Sequence, residues 1–147
     1  GTLYQPESLP RLLEAVTDDP SRAVRKQAVF AISLGSDDPS TGLLIELARA
    51  SESPEIRKTA LFWLGQKAGR RASEALTGAA ESDPDAEVRK GAVFGLSQLP
   101  PEEGIPLLIH VARTNRTPAV RKAAMFWLGQ SDRPEVLDFF EEILRTP

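Results

Sequence analysis

The sequence contains no cysteine and a single histidine, His110. Without thiols the chain forms no disulfide, holds no zinc through thiolates and offers no cysteine nucleophile. With one imidazole, any Ser-His pair would have to be built on His110, and no His/Asp/Glu grouping shows metal-ligand spacing. His110 falls on the polar side of a predicted helix, in register with Glu14, Glu46 and Gly78, and reads as a surface residue. Glycine-rich phosphate loops are missing, and no apolar run approaches the roughly 18 residues of a membrane span. Carboxylates are plentiful but fall on solvated helix faces, so no buried acid–base pair stands out. No metal or cofactor is expected, and no residue nominates a reaction. An initiator methionine is also missing: the chain opens Gly1-Thr2-Leu3 and reads as a segment of a longer parent protein. It shows no targeting segment, so cytoplasm and periplasm are equally compatible.

What the sequence has in abundance is repetition. Arg-Lys occurs at 25–26, 57–58, 89–90 and 121–122, a period of 32 residues. A β-branched residue precedes each arginine (Val24, Ile56, Val88, Val120), and an alanine follows three residues on (Ala28, Ala60, Ala92, Ala124). Two further along stands a phenylalanine: Phe30, Phe62, Phe94, Phe126. A second period of 64 overlays the first, because Ser53 to Gln66 is closely echoed by Thr117 to Gln130, tryptophans included. Duplication of a two-hairpin unit is the simplest origin of such a pattern.

Each unit reads as two helices. Inner helices are predicted at about 22–35, 54–68, 86–99 and 118–131, with Ser21, Ser53, Asp85 and Thr117 as N-caps and Pro54 and Pro118 at first helical positions. Outer helices carry Leu12-Leu13, Leu43-Leu44-Ile45, Leu76 and Leu107-Leu108-Ile109, and a fifth runs from Val136 to Leu144. Sustained period-two alternation is missing, so strands have no support. The expected architecture is all-α: a right-handed α-α superhelix of about four and a half two-helix repeats, forming a single domain over residues 1–147.

These units resemble HEAT repeats, in particular the short bacterial kind similar to phycobilisome bilin-lyase repeats, with the pattern Asp-Pro-x-x-x-Val-Arg-x-x-Ala-x-x-x-Leu-Gly. The resemblance implies that the Val-Arg-Lys helices line the concave side of a solenoid. Such repeats serve as scaffolds, adaptors and occasional enzyme subunits, so the resemblance implies a fold more sharply than a function.

A helical wheel at 100° per residue, with Val24 as origin, places Ala28 at about 40°, Ile32 at about 80° and Ala31 at about −20°, the expected core stripe. Lys26 lies at about 200°, Phe30 at about 240° and the Leu34/Gln66/Gln98/Gln130 position at about 280°, opposite that stripe. Ser33, Gly65, Ser97 and Gly129, beside them, are expected to leave the surface open. Trp63 and Trp127 share the angle of Ala31 and Gly95 and read as core-edge packing, large against small. The arginines are expected to form a structural ladder to the inter-helix loops, with Asp19, Asp83 and Asn115 in register as partners. Between Val24 and Leu34, and in each equivalent stretch, cations occur without acids, whereas the outer helices hold Glu14, Glu46, Glu81, Glu102, Glu103, Glu141 and Glu142. The net charge of −3 conceals this expected division into a basic-aromatic face and an acidic one.

The expected role is a protein-interaction or scaffold module that binds an extended peptide or partner segment on that concave face. The candidate partner-binding residues are Lys26, Phe30, Lys58, Phe62, Gln66, Lys90, Phe94, Gln98, Lys122, Phe126 and Gln130. With helices about 8–10 Å apart, four rings would make evenly spaced rungs matching an apolar residue at every third position of a polyproline-II strand. Two alternatives use the same face. One is nucleic-acid binding, as in the alkylpurine DNA glycosylases that resemble such solenoids in architecture. The other is a structural spacer or homo-oligomer that buries the phenylalanines between protomers. A bilin-lyase-like enzyme subunit is a further, weaker possibility.

Overall fold

Helices α1 (Leu9–Asp18), α3 (Asp38–Ala50), α5 (Arg70–Ser82), α7 (Pro101–Thr114) and α9 (Pro134–Arg145) form one layer of the molecule. Helices α2 (Arg22–Ser33), α4 (Pro54–Lys67), α6 (Ala86–Ser97) and α8 (Pro118–Leu128) form the other. The computed structural model describes residues 8–35, 38–67 and 69–145, and among them there is no strand. Each helix of the second layer packs against the helix before it, closing a hairpin, and against its counterpart in the next hairpin. The result is an all-α solenoid in which α9 is a half-unit.

Local chemistry explains where the second-layer helices begin. The side chains of Asp19, Ser51, Asp83 and Asn115, each 32 residues apart, accept the N–H two residues on at 2.8, 3.2, 2.9 and 3.0 Å, which turns the chain into the next helix. Ser21, Ser53 and Asp85 then cap the N–H groups of Val24, Ile56 and Val88. Thr117, expected to do the same, makes no side-chain cap; the Val120 N–H is taken by the Thr117 backbone carbonyl instead, at 3.0 Å.

The recurring alanines Ala28, Ala60, Ala92 and Ala124 are buried, and so are Ile32, Leu64, Leu96 and Leu128 four residues on. Each of the latter four is worth roughly 1.5–3 kcal/mol of transfer free energy. The core arc is wider than the wheel implied, and it is rotated. In α4 it runs from Ile56 through Arg57 and Leu61 to Gly65, or from about 0° to about 180°. A second-layer helix is flanked by other helices of its own layer as well as by the outer layer, so its sides are buried too. Gly65 is therefore not an open surface position. It faces Gly95 of α6, where a Cβ would lie 2.8 Å from the Gly95 carbonyl oxygen and 2.9 Å from its Cα. Only two glycines allow the two backbones to approach so closely. Gly129, by contrast, is exposed as expected.

The arginine ladder is present. Arg25, Arg57, Arg89 and Arg121 each donate through Nη1 to the carbonyl six residues upstream (Asp19, Ser51, Asp83 and Asn115) at 2.9, 2.8, 2.6 and 2.6 Å. Arg57 does more, because it also grips the Asp83 carboxylate of the following unit through Nε at 2.9 Å and Nη2 at 3.2 Å. Both side chains are nearly buried, at 10% and 5% exposure. In the next unit the carboxylate is replaced by Asn115, whose amide donates to the Ala80 carbonyl at 2.9 Å, and the buried Arg89 Nε has no partner. The inter-unit clamp is thus complete at the centre of the array and incomplete in the unit that follows.

At the C-terminal end, α9 buries Val136 and Phe139. Arg113 of α7 sits over the Phe139 ring at 5.1 Å and pairs with Glu142. Arg133, just ahead of α9, pairs with Glu102 at 2.9 Å.

Three measurements check these interactions. Gly65→Ala should destabilise the protein by about 1–3 kcal/mol through overpacking against backbone, which a thermal melt will read as a lower Tm; an unchanged Tm contradicts the close approach. Asp83→Ala leaves the Arg57 guanidinium buried without its carboxylate and should cost about 3–5 kcal/mol in urea unfolding, whereas a loss below about 1 kcal/mol would mean that the pair does not couple the units. The third concerns acid. Arg113 holds Glu142 below the ordinary carboxylate value of 4.5, and Glu102 is lowered first by its own backbone N–H and then by Arg133. Carboxyls lowered by folding contribute fully above that ordinary value and lose the contribution as pH falls through their folded values. Protection factors of the α9 amides, taken relative to the intrinsic exchange rate at each pH, should therefore fall on acidification ahead of those in α4 and α6, and an equal fall throughout would refute the link.

Candidate functional site

The eleven predicted partner-binding residues all lie on the second layer, on the side turned away from the core. Phe30, Phe62 and Phe126 are exposed, at 37%, 37% and 59%, and Phe94 is half-buried. Lys26, Lys58 and Lys122 are exposed, as are Gln66, Gln98 and Gln130, while Lys90 is half-buried. Lys26, Phe30, Lys58 and Phe62 line one open depression of about 560 Å³ between α2 and α4. Lys58, Phe62, Lys90 and Phe94 line a second of about 500 Å³ that reaches across α6 to α8. Gln66 belongs to a separate hollow beside Phe30 and Trp63, and Gln98 and Gln130 to another beside Trp127. Lys122 and Phe126 lie outside all of these.

The rings do not form four evenly spaced rungs. Phe30 and Phe62 both contact Trp63, each with ring centroids 4.9 Å apart. Phe94 and Phe126 contact Trp127 in the same way, at 5.2 and 5.0 Å. The two triads are joined by a nearly parallel stack of Phe62 on Phe94, 5.9 Å apart at an interplanar angle of 7°. Six rings thus run without a break from α2 to α8, ordered Phe30, Trp63, Phe62, Phe94, Trp127, Phe126. Stacking draws Phe62 and Phe94 closer together than the roughly 8–10 Å between packed helix axes.

The tryptophans stand at the core edge, as expected, packed against the core, and their outer sides also join the aromatic face. Both are half-buried and line the depressions. The wheel centred the core too near Ala31 and Trp63; with the buried arc ending at Gly65, a residue at about −20° stands at the margin of the free face. In α6 the same position is Gly95, which is buried because a Cβ there would fall 2.5 Å from Leu76 Cδ2. The 64-residue period was the sequence signal for the triads, since it alone pairs a tryptophan with two phenylalanines.

Electrostatics also differ from the expected uniform basic stripe. Two acids stand at the starts of these helices, just ahead of the stretches that contain none. Glu55 accepts from Arg22 at 2.6 Å and lies 3.9 Å from Lys26, and Glu87 lies 3.4 Å from Lys90. The Arg22 hydrogen bond holds the Glu55 carboxyl below its ordinary range. Among the described residues Lys58 and Lys122 have no ion-pair partner. The outer layer also carries cations, Arg11, Arg49, Arg70, Arg71 and Arg113 being exposed there, but acids outnumber them on every outer helix except α5 and most strongly on α9.

Lys58 is also placed differently from the other lysines. Its stem lies across Gly91 of α6, where an added Cβ would come within 2.8 Å of Lys58 Cγ and 3.3 Å of Cε. Elsewhere in the molecule, His110 is exposed and 3.8 Å from Glu81. Among the described residues no His/Cys/Asp/Glu group could hold a metal ion, and no helix is long and apolar enough to cross a membrane.

Comparisons with known proteins bear on the fold. No curated protein sequence matches the chain. A chain in the structure of the complex of CpcE and CpcF of phycocyanin lyase from Nostoc sp. PCC7120 is similar over 86% of this chain and 82% of its own length, with a TM-score of 0.59 and 22% identity. At that identity the likeness concerns the fold. The family profile of HEAT repeats matches residues 41–124 and 73–147, most of the sequence. The chain belongs to the HEAT-repeat family.

Proposed function

We propose that this protein is an interaction module that holds an extended partner segment across the aromatic face of α2, α4, α6 and α8. HEAT repeats generally mediate protein–protein interaction, and the two-layer solenoid provides the long open surface such binding uses. The observation that carries the reading is the unbroken six-ring track from Phe30 to Phe126, three of whose phenylalanines are exposed. No packing requirement of a single hairpin places these rings outside the core. Aromatic rings supply large, rigid contact area at low entropic cost, which is why they dominate binding hot spots. The track is two triads rather than four rungs, so the matching segment carries two apolar anchors, one for each triad.

Nucleic-acid binding on the same face is less well supported. Glu55 and Glu87 occupy the face and pair with Lys26 and Lys90, so few cations are left to neutralise phosphates. A catalytic role is not proposed, because a likeness in fold at 22% identity carries no chemistry.

The test uses the two tryptophans as reporters. Peptides selected from a displayed random library should shift or quench the fluorescence of Trp63 and Trp127. Phe62→Ala with Phe126→Ala should weaken those peptides by more than tenfold while keeping a cooperative thermal transition, Tm falling by about 5–15 °C because three ring contacts worth about 0.5–1.5 kcal/mol each are lost. A collapse of stability would instead place the rings in the core. Retention of single-stranded oligonucleotide with a steep salt dependence would favour the nucleic-acid reading.

A further inference from the structure

Four lysines recur at one position of the repeat, yet their surroundings differ. Lys26 is drawn toward Glu55 and Lys90 toward Glu87, whereas Lys58 and Lys122 face no carboxylate among the described residues. Of these two, only Lys58 lines the depressions, and it lines both of them. It therefore stands at the boundary between the Phe30–Trp63–Phe62 triad and the stretch from Phe62 through Phe94 to Trp127.

Its stem is held there by a missing side chain. The residue 33 positions after each lysine lies on the next helix of the layer: Thr59 after Lys26, Gly91 after Lys58, Ala123 after Lys90. Only beside Lys58 is that residue a glycine, and the lysine methylenes occupy the space a Cβ would take, with Cγ at 2.8 Å and Cδ at 3.4 Å from it. Lysine stems commonly cover apolar surface while the ammonium stays in water. A stem already laid down has less rotamer freedom to lose when a partner arrives.

We propose that Lys58 sets the specificity of this face by receiving one carboxylate of the partner, placed between its two apolar anchors, and that Gly91 is the residue that positions Lys58. The proposal rests on the peptide-binding reading above and names the partner's chemistry: an extended segment of the form apolar, acidic, apolar. Charge complementarity argues for it, since an ammonium without a partner at the centre of an aromatic surface is satisfied by an anion and would be costly to cover with an apolar residue. A single ammonium suits a single carboxylate, whereas a phosphate dianion is better matched by the planar fork of arginine. The acids at Glu55 and Glu87 supply negative selection, because they repel a segment that is acidic throughout.

The probe is a set of fluorescein-labelled ten-residue peptides taken from the displayed-library selection, each made in a second form with its central Asp or Glu replaced by the amide. On the wild-type protein the acidic form should bind about tenfold more tightly than the amide form. Lys58→Ala should remove that difference and leave the amide form almost unaffected, the signature of a direct coupling in a double-mutant cycle. Gly91→Ala keeps every charge and improves helix propensity. Its Cβ pushes the Lys58 stem aside from Cγ outward, so it should lower Tm by a few degrees at most, weaken the acidic form several-fold and leave the amide form almost unaffected. Arg11→Ala, which removes one cation from an exposed site on α1 in the other layer, should leave both forms as they were. Peptides that require Phe62 but show no acidic preference and bind Lys58→Ala as tightly as wild type would overturn the role of Lys58 and leave the aromatic face standing. Failure of any peptide to depend on Phe62 would overturn both.

Discussion

A helix of the second layer is buried along its sides as well as on its back, and this crowding determines what each position of the repeat can be. The arc from about 0° to about 180° meets other helices, which leaves about 140° free, from the lysine position to the tryptophan position. Within the crowded arc, alanine and leucine recur because neighbouring helices leave no choice, and Gly65 meets Gly95 because α4 and α6 come within contact of their backbones there. The arginine stands on the same arc and connects each loop to the helix that follows it. On the free arc the core imposes little beyond the tryptophan margin and the contact of Gly91 with Lys58, and the phenylalanines and lysines that recur there call for a different explanation.

That free arc also explains the doubled period. A tryptophan at its margin can lean over the phenylalanine of the preceding helix, as Trp63 does toward Phe30 and Trp127 toward Phe94. A tryptophan at every such position would place one in α6 against Leu76, where even a Cβ has no room. Alternation of tryptophan with glycine or alanine resolves the conflict and yields two triads. Phe62 and Phe94, which close the gap between triads, belong to α4 and α6, the pair that the glycines bring together. The backbone contact at Gly65 and the ring stack on the surface are consequences of the same close approach.

The fold was legible in the sequence because its determinants act locally or at a fixed interval. The 32-residue register and the Ser or Asp caps reveal themselves to inspection one unit at a time, and Thr117 departs because its backbone carbonyl, not its hydroxyl, takes the Val120 N–H. The site was less fully legible. The phenylalanines and lysines were found, since they lie opposite any reasonable core stripe. The tryptophans were placed correctly at the core edge; that their outer sides also join the aromatic face was not visible, because a wheel for one hairpin ignores the rings of neighbouring helices. Glu55 and Glu87 were missed because each stands one residue ahead of the stretch that is free of acids. Gly91 was invisible for a deeper reason: its importance lies in a lysine 33 residues earlier, and no property of α6 alone records that.

The electrostatic pattern shows what a repeat protein gains when its units diverge. Four identical lysines would make a uniform stripe that holds any anionic chain with an affinity set by salt. Here the outer two of the first three are turned toward local acids, and the middle one is left without a partner between aromatic surfaces. The same backbone repeat thus presents three different electrostatic environments across three consecutive helices. Identical packing makes the surface long and regular, and divergence at positions that packing does not constrain gives that surface a register. A segment sliding along it by one helix would move its acidic residue from a free ammonium to one already paired, and opposition by Glu55 or Glu87 would then add to the loss.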